Sequence, residues 1–266
     1  MKKFLPLIAL FAATAILSGC SQPGTTTPSS LPTLPPANVT CNELSFYLDP
    51  ALGNDYQCET VPENSSSDLP QGMAYVFIYP PHTELTIQNY PLTHTQFPPR
   101  IWVYPVSRFS ELLPDIIPPR VSDLKRLISS GTWSSGELPF LPANPQTQTF
   151  FIHKNGISFN GGQGVRFITE YSDGPNPISN LNILYTFQGL TDDGKYWVAA
   201  TFPISSPILP ANYDTLPEGY TQESLILNYS SYVGDVKDAL GAQAPGSFSP
   251  TLDILDRLVK GITLNQ

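Results

Sequence analysis

The stretch Gly161–Pro203, GGQGVRFITEYSDGPNPISNLNILYTFQGLTDDGKYWVAATFP, constrains the fold more than any other part of this 266-residue chain. It reads as three consecutive antiparallel strands. Val165, Phe167, Thr169 and Tyr171 fall on one face and Arg166, Ile168 and Glu170 on the other, the period of two of a half-buried strand. Asp173-Gly174-Pro175-Asn176-Pro177 ends that strand, because the prolines lack N–H donors and Gly and Asn accept turn dihedrals. Ile183, Tyr185 and Phe187 form the next apolar face, and Tyr196 to Phe202 the third strand. Asp193-Gly194 between them signals a tight hairpin. Adjacent Asp192 and Asp193 raise the question of calcium, but no calcium-loop ligand spacing follows, which favours a solvated turn.

The flanking sequence extends the same pattern. Leu44–Leu48 reads as a strand or helical turn. Strands are predicted at Gln57–Val61, Met73–Tyr79, Glu84–Gln88 and Arg100–Val106, the last with Pro105 at an end or an edge. Short helices are predicted from Ser107 to Leu113 and from Arg120 to Ile128, the second with Val121, Leu124, Leu127 and Ile128 at helical spacing. Leu138-Pro139-Phe140-Leu141-Pro142 reads as an apolar loop over the core. Gln148–His153 and Ile157–Phe159 read as strands on either side of Lys154-Asn155-Gly156. The GGQG run is no dinucleotide fingerprint, since a strand follows it.

Near the C-terminus, Asn228–Leu240 reads as a helix with an apolar stripe. A second helix is expected with Ser249 as cap, Pro250 at its first position, and Leu252, Leu255, Leu258, Val259 and Ile262 on one face. The expected fold class is α+β: a mostly antiparallel β-sheet with helices on one or both faces and a C-terminal amphipathic helix.

Charge narrows the function classes. The formal charge is −9, and removing Lys2 and Lys3 with a leader takes it to −11. Such a chain lacks the basic field that neutralises phosphates, so no nucleic-acid partner is expected. Lys2-Lys3, then the apolar run Phe4–Leu17, then Leu17-Ser18-Gly19-Cys20 resembles the signal peptide and lipobox of bacterial lipoproteins. That resemblance implies cleavage of residues 1–19, a diacylglyceryl thioether on Cys20, and acylation of its new amine by a fatty acid such as palmitate. One acyl chain holds a protein marginally and two or three hold it firmly. The implied location is the cell envelope, on the extracytoplasmic side of a membrane, with the bilayer as partner. Residues 20–38 would then be the lipidated Cys and a Ser/Thr/Pro-rich disordered tether, and 39–266 a single globular domain. Export implies an oxidising compartment, where Cys41 and Cys58 form an even pair. A disulfide between them is expected, with a reactive or metal-binding pair as the alternative.

LPFLP, GGQGVRF and LYTFQGLTDDGKYWVAA together resemble segments of a group of uncharacterised bacterial lipoproteins, over roughly 73–210. That likeness implies an anchored extracytoplasmic domain and brings no activity with it. The order of elements is similar to the PsbP/Mog1 type of α/β/α sandwich. Neither likeness carries over a catalytic or ligand-binding residue.

No GxSxG elbow is present, and His82, His94 and His153 fall in no metal-binding motif. Glu170 and Glu137 are nameable acids for a glycosidase pair, though nothing separates them from the other carboxylates. Trp102, Trp133 and Trp197 could stack on sugars, with Trp133 the least core-like. No catalytic, cofactor-binding or metal-binding residue and no cofactor is assigned. The first reading is therefore a non-enzymatic interaction or envelope-assembly domain, with an envelope protein or glycan as a possible partner. The alternatives are a module binding sugars or small apolar ligands, and an extracytoplasmic hydrolase.

Overall fold

The computed structural model describes residues 34–68, 75–93, 95–133 and 136–265. The predicted leader and most of the predicted tether lie outside them. From Leu34 onward the chain forms one unit around a seven-stranded sheet. Its strands are β3 (Asp55–Val61), β4 (His82–Gln88), β5 (Arg100–Pro105), β6 (Thr147–Phe159), β7 (Gly162–Ser172), β8 (Leu184–Thr191) and β9 (Tyr196–Pro203). Their order is β3-β4-β5-β9-β8-β7-β6, and every neighbouring pair is antiparallel. The three strands predicted in Gly161–Pro203 are β7, β8 and β9, in the centre and toward one side of this sheet. The α+β expectation is what the chain adopts.

Both faces of the sheet are covered. On one lie α1 (Val106–Leu112), α2 (Ile117–Ser130) and the loop holding buried Leu138, Phe140 and Leu141. On the other lie α3 (Gln222–Leu227), α4 (Tyr229–Gly241) and α5 (Leu252–Lys260). That second layer is completed by a small sheet of β1 (Val39–Cys41), β2 (Leu44–Phe46) and β10 (Thr263–Leu264), in the order β1-β2-β10. Leu252, Leu255, Leu258, Val259 and Ile262 are buried as the stripe predicted.

Several elements depart from expectation. Tyr75–Phe77, inside the predicted strand 73–79, is a 3-10 turn, and residues 73 and 74 lie outside the described part. Tyr75 and Phe77 are exposed, and of the segment's described residues only Tyr79, at its end, pairs, as an isolated antiparallel bridge with Asn64 that continues the β3/β4 register. The two strands predicted around Lys154-Asn155-Gly156 are one strand, β6. Its pairing with β7 shifts register between Ile152 and Asn155, and His153 takes a φ of 49° there, so the extra residue is absorbed as a bulge. Helix α2 starts earlier than predicted because Pro118 and Pro119 sit inside its first turn, where their missing N–H groups are not needed. Helix α5 starts later: Thr251, not Ser249, is its cap residue, and Pro250 precedes it on a cis bond.

β7 is buried on both faces rather than half-buried. Gly162 and Gly164 belong to it, and the reason they are glycines is packing. The rings of Phe159 and Phe187 lie over them, where a Cβ would stand. Arg166 and Glu170, on the face the sequence left polar, are consequently both buried.

Arg166 has found its partner. Its Nε donates to Asp256 Oδ1 of α5 at 3.1 Å, and the Tyr185 hydroxyl donates to the same oxygen at 2.9 Å. Another guanidinium nitrogen bonds the His153 carbonyl at the bulge. This set fastens α5 to β6, β7 and β8.

Candidate functional site

Glu170 has no such partner. In the antiparallel pair β6/β7, Thr147 stands opposite Ser172 and Phe150 opposite Glu170, so the start of β6 and the end of β7 lie together at one end of the sheet. The first turns of α4 cross above them. Between the strands and the helix is a groove of about 470 Å³, lined by Thr147, Thr149, Ser172, Asp173, Tyr229 and Val233 among others. A second hollow of about 420 Å³ continues along β6 toward Phe151, Lys237 and Glu137, sharing Gln148, Thr149, Ser230 and Val233 with the first. β6 is an outer strand of the sheet, so this whole run follows a sheet edge.

Glu170 lies behind the groove with none of its surface exposed. Asn182 Nδ2 donates to its Oε1 at 2.6 Å. Its other oxygen, Oε2, is buried and has no partner in hydrogen-bonding geometry. Burial pushes the carboxyl above its ordinary pKa, and the nearby Thr149 and Asn182 side chains pull partly the other way. The Tyr229 hydroxyl, also buried, has no partner in good geometry either. Its pKa is pushed up to about 12, first by burial and then by the Glu170 charge, with Thr149 and Ser172 acting in the opposite sense. Tyr232 is the third group near the acid. Its hydroxyl accepts the Ile178 N–H at 2.8 Å, and burial, followed by Glu170, raises its pKa against the effect of that bond.

Thr149, Ser172 and Tyr229 therefore border both the groove and this buried pocket of acidity. Among the described residues no Lys, Arg or His forms an ion pair or hydrogen bond with Glu170. Glu170 is thus a buried acid held by neutral donors, Asn182 and Thr149, with the Tyr229 hydroxyl nearby and no cation beside it. No group of three or more metal-binding side chains occurs among the described residues.

The other residues singled out in the sequence are placed as follows. Cys20 lies outside the described residues. Cys41 and Cys58 are joined by a disulfide, which ties the small sheet to the edge strand β3. Glu137 and Glu170 are not assembled as a pair. Glu137 Oε1 accepts the Gln148 N–H at 3.2 Å, and its charge is felt by Tyr171, on the opposite sheet face from Glu170. His82 is buried with Nδ1 at 2.8 Å from the Pro80 carbonyl, and His153 Nε2 is 3.1 Å from the Leu240 carbonyl. His94 lies outside the described residues. Trp102 donates to Glu84 at 2.7 Å and Trp197 to Gln188 at 2.8 Å, both in the core. Trp133 is half-buried under the Arg126 guanidinium, 5.1 Å from its ring centre.

Sequence reasoning missed Tyr229, which it assigned to an apolar helix stripe, and did not single out Thr149 or Asn182. The available signal was Glu170 itself, a charge on the same strand face as Ile168 in a run that also holds Val165, Phe167 and Tyr171.

No family model, curated protein or solved structure matches this chain.

Proposed function

We propose that this protein is a lipid-anchored extracytoplasmic binding domain. In this reading Cys20 carries the anchor, residues 20–38 form the tether, and the groove between β6 and α4 is presented to small polar ligands at the cell envelope. The observation that carries the binding role is the buried Glu170 carboxyl, one oxygen of which lacks a partner in good geometry, behind a groove of about 470 Å³. Natural folds satisfy almost all buried polar atoms, and leaving one unsatisfied costs about 1–3 kcal/mol, more for a charged group. Such an expense is concentrated where function requires it. The groove supplies the other features of a ligand site: several hydroxyls, one aromatic ring and an apolar side chain converging on a concave surface.

The test uses the full-length protein in detergent micelles, screened by thermal shift against a library of small polar metabolites. A Val233→Trp variant fills the groove. Compounds that stabilise the native protein and not the variant support the reading. Absence of any such compound, or equal stabilisation of both forms, would sink it. The anchor is tested separately by labelling with a palmitate analogue, which Cys20→Ala should abolish along with membrane retention.

A further inference from the structure

The groove's free acceptors point to the chemical class of its ligand. We infer that the groove between β6 and α4 binds a ligand bearing a primary ammonium group, which seats against Glu170 Oε2 and the Tyr229 hydroxyl. The inference rests on the binding role proposed above and specifies what binds.

Three observations carry it. First, the one atom that burial leaves most in need is an anionic acceptor. Oε2 is buried and unpartnered, while Oε1 already receives the Asn182 amide. A neutral hydroxyl would satisfy its geometry. An ammonium would satisfy its geometry and its charge together, and charge-assisted hydrogen bonds are roughly twice as strong as neutral ones.

Second, the surroundings supply acceptors in the number an ammonium needs. It has three donors, and the oxygens beside the acid are those of Thr149 and Tyr229, with Ser172 next to Tyr229 and the Asp173 carboxylate on the same groove lining. Third, cations are missing where an anionic ligand would require them. The lining of the main groove contains no Lys, Arg or His, and Lys237 at the far end of the second hollow lies 5.8 Å from the Phe151 ring centre. A metal ion is a poor fit, because one carboxylate and a few hydroxyls do not make a ligand cage.

Access follows from the same geometry. Glu170 exposes no surface, and Tyr229, at the first position of α4, borders both the acid and the groove. The ammonium reaches Oε2 when that side chain turns aside. Titration then couples to binding. The groups facing Glu170 are Tyr229 and Tyr232 from α4, Thr149 from β6 and Asn182 from the β7–β8 loop, none of them cationic. A proton and the ligand ammonium compete for the same carboxylate, so affinity should fall as pH drops through the Glu170 range.

The experiment compares 1,5-diaminopentane with 1,5-pentanediol, two probes of equal length that differ in the terminal group. Binding to the full-length protein in micelles is measured by calorimetry near neutral pH and again in mildly acidic buffer. The expected result is diamine binding at least about tenfold tighter than diol binding, the scale of one charge-assisted contact. Glu170→Gln should remove that preference, Val233→Trp should remove binding, and acid should weaken the diamine alone. If the diol binds the native protein as well as the diamine and Val233→Trp blocks both, the groove remains a binding site and the ammonium assignment is overturned. If neither probe is sensitive to Val233→Trp, the groove reading falls as well. Diamine binding that survives Glu170→Gln unchanged marks simple attraction to an acidic surface and also overturns the assignment.

Discussion

Asn182 donates to Glu170 Oε1 at 2.6 Å while Oε2 of the same carboxyl is left without a partner. Half of a buried acid is thus held in place and half is kept open. An amide in its place would keep the Asn182 bond and carry no charge. Glu170→Gln should therefore stabilise the unliganded protein near neutral pH by about 1–2 kcal/mol, the scale of one relieved buried polar group. The sign follows from the raised pKa. The folded state holds the Glu170 proton more tightly than the unfolded chain, so the penalty is present above the folded pKa and fades as pH falls toward the unfolded value of 4.5. Melting curves of both proteins should differ most at neutral pH and converge in acid. A destabilised variant at neutral pH would contradict this.

Arg166 and Asp256 make the opposite case, a buried charge pair that is satisfied. Their side chains are only 8% and 10% exposed, and Tyr185 adds a third member. Asp256→Ala leaves a buried guanidinium without its counter-charge and should cost about 3–5 kcal/mol. Because the pair joins α5 to the sheet, amide exchange in α5 and β10 should accelerate first. Denaturant melts and hydrogen exchange would show it, and an unaltered exchange pattern would argue that apolar packing alone fixes α5.

His82 gives the fold a pH dependence of its own. It lies between the rings of Tyr79 and Tyr104, and burial lowers its pKa against the pull of the Pro80 carbonyl and Glu84. The unfolded chain binds a proton at 6.5 and the folded state resists it. Full stability from this site is present above 6.5 and is lost as pH falls from there through the folded pKa. His82→Phe should flatten the dependence of the melting temperature on pH just below that value. Equal slopes for the two proteins would remove His82 as the cause.

The Cys41–Cys58 disulfide holds an edge strand whose residues are nearly all exposed or half-exposed. Its sequence separation is 17 residues, and closing a loop of that size is worth about 3 kcal/mol in the chain-entropy model. Reduction should lower global stability by about that amount and increase exchange in β3. A loss below about 1 kcal/mol would show that the reduced unfolded state is already constrained.

Gly164 tests the packing of the central strands. A Cβ built there comes within 2.6 Å of the Gly189 Cα and also meets the Phe187 ring. Gly164→Ala should cost about 1–3 kcal/mol as overpacking, whereas Gly156→Ala, in open space on the same sheet, should cost little by clash.

The alternation in β7, β8 and β9, the Asp-Gly hairpin and the apolar stripe of α5 are local patterns of period two or 3.6, so the α+β class and the C-terminal helix were readable in the chain itself. The same local logic failed where partners decide the outcome. Tyr75–Phe77 has strand-like residues and folds as an exposed 3-10 turn, and His153 bends a single strand that the sequence divides in two. It failed again for Arg166 and Glu170, which look alike as polar members of one strand face. Only the tertiary structure gives Asp256 to one and withholds a counter-charge from the other, because charge compensation depends on which distant side chain the fold brings within about 3 Å. Tyr229 belongs with them: an apolar helix position in the sequence becomes a hydroxyl beside a buried acid once α4 lies across the sheet edge.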